Sequence, residues 1–295
     1  MKGLKKDRTE KEEMIRQPYT KTTAVVQVLM TMLAALFLAP LFIIVNYSFK
    51  TKKELYINSP LSLPQSFQLD NYVKATDKLN MGTTYINTFI YTAVSVFVLA
   101  MLCGITAWAI ARCKHRFFKF CYIYFIVGIL IPYQALFLPI YTIGFKMHLT
   151  NTRFGIIFMY VATGISFGVF LMNSFMSTVP VELEEAARID GAGEMRVFLQ
   201  MVLPALKPAT ATLTVFSFVN NWNDYFSPLI YVTSQAMKTL PLALQTIGGG
   251  AAGMSVGRAG AVAAASFLMT APTVIIFVIK QGQVMETMTY SGIKG

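Results

Sequence analysis

The sequence predicts an all-α, polytopic membrane protein with six transmembrane helices. Of its 295 residues, 55% are hydrophobic and 13% are charged, and its mean hydropathy is +0.55, whereas a typical soluble domain carries about 25% charged residues. A membrane-spanning helix needs about 20 apolar residues, and six runs of that length lie between clusters of charge. The predicted spans are residues 24–46, 86–111, 119–143, 155–176, 208–232 and 260–282.

The segments outside the spans complete the predicted organisation. Residues 1–23 form a leader of mixed charge, and the apolar run after it is too long for the core of a signal peptide, so we expect that run to remain as the first anchor. Residues 47–85 form a long outer loop, residues 86–282 form the core transmembrane domain, and residues 283–295 form a tail.

Lysine and arginine set the predicted orientation, because short loops rich in positive charge stay in the cytoplasm. If the N-terminus lies inside, the inner segments hold 16 of the 25 basic residues and the outer segments hold 9. The sequence therefore predicts that both termini and the loop 177–207 are cytoplasmic.

Pairs of small residues four apart predict where spans pack, because helices in lipid associate through close backbone contact. Small residues are also common in any such bundle, so each pair is equally consistent with a contact and with none. The pairs are Ala100 with Gly104, Gly164 with Gly168, and Ala261 with Ala265.

The polar residues exclude several classes of function. The formal charge of +11 comes from basic residues that flank apolar runs, so a nucleic-acid partner is not expected. Cys113 and His115 lack a second pair of ligands for a tetrahedral metal site, and His148 falls on the opposite side of the predicted membrane from His115. We therefore predict no catalytic residue, no metal and no cofactor.

The loop 177–207 is charged and helix-like, although it lies between two spans. Pro180 suits a first helical turn, and the acidic residues that follow it are favoured at the positive end of a helix dipole. Gly191 and Gly193 are expected to end this helix, and Pro204 marks the return to the membrane after a second short helix.

The charge and shape of this loop indicate a protein partner. Glu184 and Arg188 lie four residues apart on one helical face, and Ala186 with Ala187 make a nearly bare patch that another surface can approach. The alternative is a pair of amphipathic helices that lies on the inner leaflet. The loop has three basic residues and five acids, so its net charge is negative, which is the wrong sign for binding anionic lipid. The acids are Glu182, Glu184, Glu185, Asp190 and Glu194.

A polar cluster interrupts the fifth span. Ionisable groups inside a membrane are costly and face a cavity or a partner, and amides beside an aromatic face suit sugar hydroxyls and rings. Two roles stay open, lining a solute pathway and hydrogen bonding between helices. Pro228 is expected to bend the helix toward the pore. The cluster is Asn220, Asn221, Trp222, Asn223 and Asp224.

Several motifs resemble those of one transporter family. Glu185-Ala186-Ala187, Gly191 and Leu203-Pro204 together resemble the EAA motif of the inner-membrane permease subunits of binding-protein-dependent ABC importers. The string ELEEAARIDGA (182–192) is similar to the carbohydrate-uptake branch, whose members resemble the second permease of the maltose system. Three further stretches are similar to that branch: PQSFQLDNY (64–72), IPYQALFLPIY (131–141) and NWNDYFSPLIY (221–231).

The resemblance implies a MetI-like, type I ABC importer permease fold in the bacterial plasma membrane. It also implies a second permease subunit that forms a heterodimer with this chain, a homodimeric or heterodimeric ABC ATPase, an extracytoplasmic solute-binding protein and a sugar substrate. No G-x-x-x-x-G-K-[ST] motif occurs, so ATP hydrolysis is expected on a partner. The glycine-rich stretch 248–260 lacks that lysine, and we expect it to be a flexible outer loop.

In such a permease, the loop 177–207 is a coupling helix that sits in a groove of the ATPase. The implied ATPase-coupling residues are Glu182, Glu184, Glu185, Ala186, Ala187, Arg188, Asp190 and Gly191. The implied substrate-pathway residues are those of the polar cluster, from Asn220 to Asp224.

Three other functions are weighed against this one. An ABC permease for a solute other than sugar would share the scaffold. An ion-coupled secondary transporter predicts internal symmetry between the first and last three spans, and none is found. A membrane-embedded enzyme predicts His, acids or a Ser/Lys pair clustered at bilayer depth, and the sequence has no such cluster.

Overall fold

The structure is a computed structural model that describes residues 20–248 and 256–292, and the described chain is built from helices. The helices are α1 (Lys21–Phe49), α2 (Lys52–Ile57), α3 (Asp70–Leu79), α4 (Met81–Arg112), α5 (Arg116–Leu130), α6 (Phe137–Lys146), α7 (Arg153–Met176), α8 (Val181–Ile189), α9 (Glu194–Ala205), α10 (Lys207–Asn223), α11 (Phe226–Tyr231), α12 (Leu240–Gly248) and α13 (Val256–Gly292).

Four of these helices, α1, α4, α7 and α13, are long and apolar enough to cross a membrane. Two further helix pairs reach that length only across a sharp bend. The bend is 99° between α5 and the segment Tyr133–Lys146, and it is 77° between α9 and α10. By length and composition, the described chain therefore has four candidate spans, or six if each bent pair counts as one.

The predicted third span, 119–143, is divided in two. α5 ends at Leu130, Ile131 is extended (φ −83°, ψ 119°), and a 3-10 turn over Tyr133–Leu136 leads into α6. Pro132 accounts for the break, because it offers no backbone N–H and disfavours a helical conformation at the residue before it.

The predicted fifth span, 208–232, is divided as well. α10 ends at Asn223, and Asp224 is extended (φ −74°, ψ 119°) before α11 begins at Phe226. In a continuous helix, the ring of Pro228 would clash with the carbonyl of Asp224, four residues earlier. The expected bend is therefore present, but it lies at Asp224 rather than at the proline.

The centre of the bundle is the contact between α4 and α7. A Cβ atom at Gly168 would lie 2.4 Å from Cys103 Sγ, and one at Gly164 would lie 2.8 Å from a Leu99 methyl. The small pair on α7 therefore marks a helix contact, as the spacing predicted. The residues of the other two predicted pairs are also buried: Ala100, Gly104, Ala261 and Ala265.

The predicted loop 47–85 contains α2, α3 and the start of α4, with polar side chains buried between them. Glu54 accepts hydrogen bonds from the backbone amides of Gln65 (2.6 Å) and Thr51 (2.7 Å). These bonds, together with nearby Lys50, hold the pKa of Glu54 below its ordinary value. Lys50 is itself 1% exposed, so this segment is an ordered cap on one end of the bundle.

The ends of the predicted organisation lie partly outside the described residues. Of the leader 1–23, the structure describes residues 20–23, and α1 already begins at Lys21. Of the expected flexible loop 248–260, residues 249–255 lie outside the described chain; the expectation is wrong for the rest, because Gly248 ends α12 and residues 256–260 belong to α13. Within the predicted tail 283–295, α13 continues to Gly292.

Candidate functional site: a polar cavity and a coupling hairpin

A cavity of about 500 Å³ lies between α4, α7, α10 and the broken third and fifth spans. This volume is within the range of small-molecule sites in proteins. Its lining combines amides and hydroxyls with aromatic and aliphatic side chains. The lining residues are Leu99, Tyr133, Tyr160, Thr163, Gly164, Phe167, Phe216, Ser217, Val219, Asn220, Asn221, Asn223, Asp224 and Ser227.

The last turn of α10 supplies the amides of this cavity. Asn220 is exposed to it, and Asn223 donates from Nδ2 to the carbonyl of Val219 at 2.8 Å. Nδ2 of Asn221 is buried and has no hydrogen-bond partner among the described residues. A buried donor without a partner costs about 1–3 kcal/mol, so this amide is an unsatisfied polar group in the cavity wall.

Asp224 holds the helix break open. Its Oδ1 accepts from the amides of Phe226 (2.9 Å) and Ser227 (3.3 Å), so the carboxylate lies at the positive end of α11. Across the cavity, Tyr133 and Ser227 share a hydrogen bond of 2.7 Å between their hydroxyls, whereas the buried hydroxyl of Tyr160 has no hydrogen-bond partner among the described residues. The two broken spans are thus tied together at the cavity wall.

Trp222 does not line the cavity. Its side chain is 0% exposed, and Nε1 donates to the carbonyl of Met269 on α13 at 2.9 Å. Its ring stacks on Phe218 at 5.5 Å and meets the edge of Tyr85 at 5.2 Å. Successive helix residues point about 100° apart, so the face that presents Asn220, Asn221 and Asn223 leaves this tryptophan on the packed side.

The opposite wall holds functional candidates that the sequence did not single out, namely Tyr133, Tyr160 and Thr163. The sequence does contain a signal for Tyr133. Pro132 before it predicts irregular backbone, and irregular backbone at membrane depth is tolerated where it lines a cavity. Tyr160 and Thr163 sit in an apolar run of α7, where nothing in the local sequence separates them from packing residues.

The predicted coupling loop 177–207 folds as a helical hairpin, which we call the coupling hairpin. α8 begins directly after Pro180, and Gly191 follows it with a left-handed backbone (φ +83°) that glycine adopts without strain. The second arm, α9, contains a π-helical turn at Phe198–Val202. The chain turns into α10 at Leu206, two residues after the expected position at Pro204.

Glu184 faces the interior of the chain rather than a partner. It is 0% exposed and accepts hydrogen bonds from Trp108 Nε1 (2.9 Å) and Arg112 Nε (2.8 Å). The same arginine donates to the carbonyl of Val179 at 2.7 Å. The buried carboxylate therefore connects α8 to the last turn of α4.

Arg188 joins the two arms of the coupling hairpin. It makes a bidentate contact with Glu194, at 2.9 and 3.0 Å, and it lies 3.6 Å from Glu184, as their spacing predicted. The hydrogen bonds from the guanidinium lower the pKa of the Glu194 carboxyl.

The side of α8 that faces away from the rest of the chain carries both acidic and apolar side chains. Ile189 is 86% exposed, Leu183 is 48% exposed, and Ala186 lies between them in the sequence. The expectation that both alanines form a bare patch is wrong for Ala187, which is 6% exposed and packs in the hydrophobic core of the chain. The outward residues of this face are Glu182, Leu183, Glu185, Ala186, Ile189 and Asp190.

The chemistry of both sites is that of binding. Within residues 20–248 and 256–292, no three His, Cys, Asp or Glu side chains are grouped to hold a metal ion. The cavity offers amides, hydroxyls, one capped carboxylate and aromatic rings. Such a wall can recognise a polar, uncharged solute, and the outward face of α8 exposes acidic and apolar side chains together.

Comparison with known proteins identifies relatives over most of the chain. Residues 97–283 match the family of the "binding-protein-dependent transport system inner membrane component". A "probable starch degradation products transport system permease protein" of Thermoanaerobacterium thermosulfurigenes is 40% identical over 71% of this chain and 76% of its own length. The melibiose/raffinose/stachyose import permease of Bacillus subtilis is 30% identical over 95% of this chain and 100% of its own.

A solved structure has the same fold. The chain resembles, with a TM-score of 0.76, one chain in the crystal structure of a bacterial ABC transporter involved in the import of the acidic polysaccharide alginate. The match covers 90% of this chain and 99% of the other, at 21% sequence identity.

Proposed function

Because the chain belongs to the family of binding-protein-dependent transport system inner membrane components, we propose that it is the permease subunit through which an ATP-binding cassette importer takes up a sugar. Proteins of this family are multi-pass transport subunits of the plasma membrane and not enzymes. They work with a second permease, an ATPase and a solute-binding protein. In this proposal the second permease forms a heterodimer with the chain, and each subunit contributes half of the pathway.

The cavity beside α10 is the observation that carries the proposal. It presents three amides next to hydroxyls and aromatic rings, which are the groups that pair with the hydroxyls and faces of sugar rings. Relatives named for starch products and for melibiose, raffinose and stachyose support an oligosaccharide as the solute. The proposed pathway residues are Asn220, Asn221, Asn223 and Asp224, whereas Trp222 supports them from behind.

Transport is proposed to follow the motion of a separate ATPase. The outward face of α8 docks on that subunit, and both termini and the coupling hairpin lie in the cytoplasm. Differential binding of ATP and of loaded binding protein to two conformations shifts the population between outward-open and inward-open states. The helix breaks at Pro132 and Asp224 lie beside the cavity, so they are the positions at which α6 and α11 would reorient.

The route of force inside the chain runs through Glu184. Its buried carboxylate bridges α8 to Trp108 and Arg112 on α4, and α4 makes the main helix contact with α7. A displacement of the coupling hairpin would therefore reach the cavity through Leu99 of α4 and Thr163 of α7, as well as through α10, which directly follows α9.

The test of the pathway is uptake of radiolabelled oligosaccharide by the reconstituted importer carrying Asn221→Leu. Loss of one solute hydrogen bond is worth up to about 1.5 kcal/mol, so the half-saturating sugar concentration should rise by about tenfold. Thermal stability should not fall, since the substitution removes a buried donor that has no partner. A stable variant with unchanged uptake would refute the assignment of this cavity.

A matched threonine pair controls for a change of packing. Thr163 lines the cavity and Thr142 faces outward from α6, and each hydroxyl donates to the carbonyl four residues earlier. Thr163→Leu should reduce uptake by partly filling the cavity, while Thr142→Leu should leave it unchanged. Equal effects of the two variants would contradict a solute role.

A solute other than sugar is the second candidate, because the same family scaffold serves it. Competition by an unlabelled panel of amino acids, peptides and oligosaccharides distinguishes the two. Displacement by oligosaccharides alone supports the sugar proposal, and displacement by an amino acid or peptide would replace it.

A further inference from the structure

A second cavity, of about 360 Å³, lies on the side of the protein that carries the coupling hairpin. It is bounded by the end of α4, the start of α5 and the end of α7. Arg112 is part of its wall and also contacts Glu184 and the carbonyl of Val179. The cavity is therefore adjacent to the coupling hairpin, and its wall residues other than Arg112 take no part in the proposed solute pathway or coupling.

The wall of this cavity is basic. It contains Arg112, Lys114, His115 and Lys119 and no acidic residue. Arg112 is paired with Glu184, but Lys114 and Lys119 make no ion pair within the described parts of the chain. His115 accepts the Phe117 amide at Nδ1, which leaves Nε2 as an N–H donor. The cavity thus offers two unpaired ammonium groups and an imidazole donor to an anion.

Asn173, on α7, also lines this cavity. Its Oδ1 is enclosed by neighbouring atoms and has no hydrogen-bond partner among the described residues. Because a ligand in the cavity does not reach this oxygen, the basic side chains are the groups of the wall that would hold a ligand.

The outer surface of α5 continues from the cavity as an apolar strip. Phe120, Ile123, Tyr124 and Val127 are 49–69% exposed on this helix, which is the first half of a bent candidate span. Free phosphate would fill the basic wall but would gain nothing from the strip. A molecule with an anionic head and hydrocarbon chains would use both features.

We propose that this cavity binds the headgroup of an anionic phospholipid from the leaflet on the side of the coupling hairpin. The phosphate lies against Lys114 and Lys119, and the acyl chains follow the exposed face of α5. Basic pockets between membrane helices bind anionic headgroups in this manner. Only the identification of that leaflet as the cytoplasmic one rests on the proposed function.

The experiment is native mass spectrometry of the full chain in its importer complex, titrated with dioleoylphosphatidylglycerol or dioleoylphosphatidylcholine. We expect tighter binding of the glycerol lipid. In Lys114→Gln/Lys119→Gln the affinity for it should fall by about 25-fold, since each basic residue near an anionic lipid contributes about fivefold. Both side chains are exposed, so the variant should fold.

Arg116→Gln is the matched control, because Arg116 lies at the start of the same helix but outside the cavity wall. Arg116→Gln should lower the affinity for the glycerol lipid by less than about threefold at high salt, because salt screens charges that act only through the surface potential. Equal losses in the two variants, equal affinity for the two lipids, or displacement of the lipid by inorganic phosphate would each overturn the proposal. The measurement needs neither sugar nor ATP, so a failure of the proposed transport function would not alter its outcome.

Discussion

Glu184→Gln tests whether the buried carboxylate fastens the coupling hairpin to the membrane bundle. The glutamine keeps one acceptor oxygen but turns an amide donor toward the donors of Trp108 and Arg112. Breaking a buried ion pair by changing one partner costs about 3–5 kcal/mol. The Arg112 side chain is 21% exposed and can be partly hydrated, so the lower end, about 3 kcal/mol, applies here.

The assay is hydrogen–deuterium exchange of peptides from α8 and from the end of α4 in the purified full chain without the ATPase, where the outward face of α8 is uncovered. A loss of about 3 kcal/mol raises the opening equilibrium by about 150-fold, because each 1.4 kcal/mol is a factor of ten. Glu185→Gln is the control, since Glu185 is adjacent and exposed. A surface charge contributes less than about 1 kcal/mol, so this control should change exchange by less than about fivefold. Equal exchange in the two variants would refute the reasoning.

Three further predictions concern the outer cap, the hairpin turn and the helix seam. Because the pKa of Glu54 is lowered in the folded protein, its contribution to stability is complete above the ordinary glutamate pKa and is lost as the pH falls through the folded value. The protection factors of residues 50–66, which are corrected for the pH dependence of intrinsic amide exchange, should fall on acidification, and a Glu54→Gln variant that shows the same pH dependence would contradict this cause. Gly191→Ala should destabilise the coupling hairpin by about 1 kcal/mol, since alanine is strained at φ +83°; unchanged exchange of α8 and α9 would count against it. Gly168→Ala should lower the stability of the complex by about 1–3 kcal/mol through overlap with Cys103. Cys103→Ala should restore part of that loss, and the absence of any rescue would show that the α4–α7 contact is not the cause.

Much of the architecture could be predicted from the sequence because membrane helices obey simple limits of length and charge. The helix over 153–176 and the hairpin that begins after Pro180 follow from apolar run length, proline position and acidic first-turn residues. The helix breaks were harder to foresee. The apolar run resumes directly after Pro132-Tyr133-Gln134, so its length still predicts one span. The bend caused by Pro228 lies at Asp224, where the clashing carbonyl is.

The sequence predicted which stretches hold the candidate sites, but it did not predict the direction in which each side chain points. Trp222 lies between Asn221 and Asn223 in the sequence, but the helix turns it toward Met269 and away from the cavity. Glu184 and Glu185 are equally acidic in the sequence, yet only the former meets Trp108 and Arg112, which lie more than 70 residues earlier. Contacts between distant segments decide such cases, and no local pattern encodes them.

The central hypothesis is that the outward face of α8 docks on a separate ATPase. Its most direct test places a photo-crosslinking amino acid at Ile189, which is 86% exposed. A second variant carries the same amino acid at Phe154, which is 64% exposed and lies at the end of α7 that is far from the coupling hairpin. In the assembled importer, we expect position 189 to cross-link to the ATPase subunit and position 154 not to do so. A cross-link to the ATPase from position 154, or none from position 189 while ATP-driven uptake continues, would contradict the hypothesis.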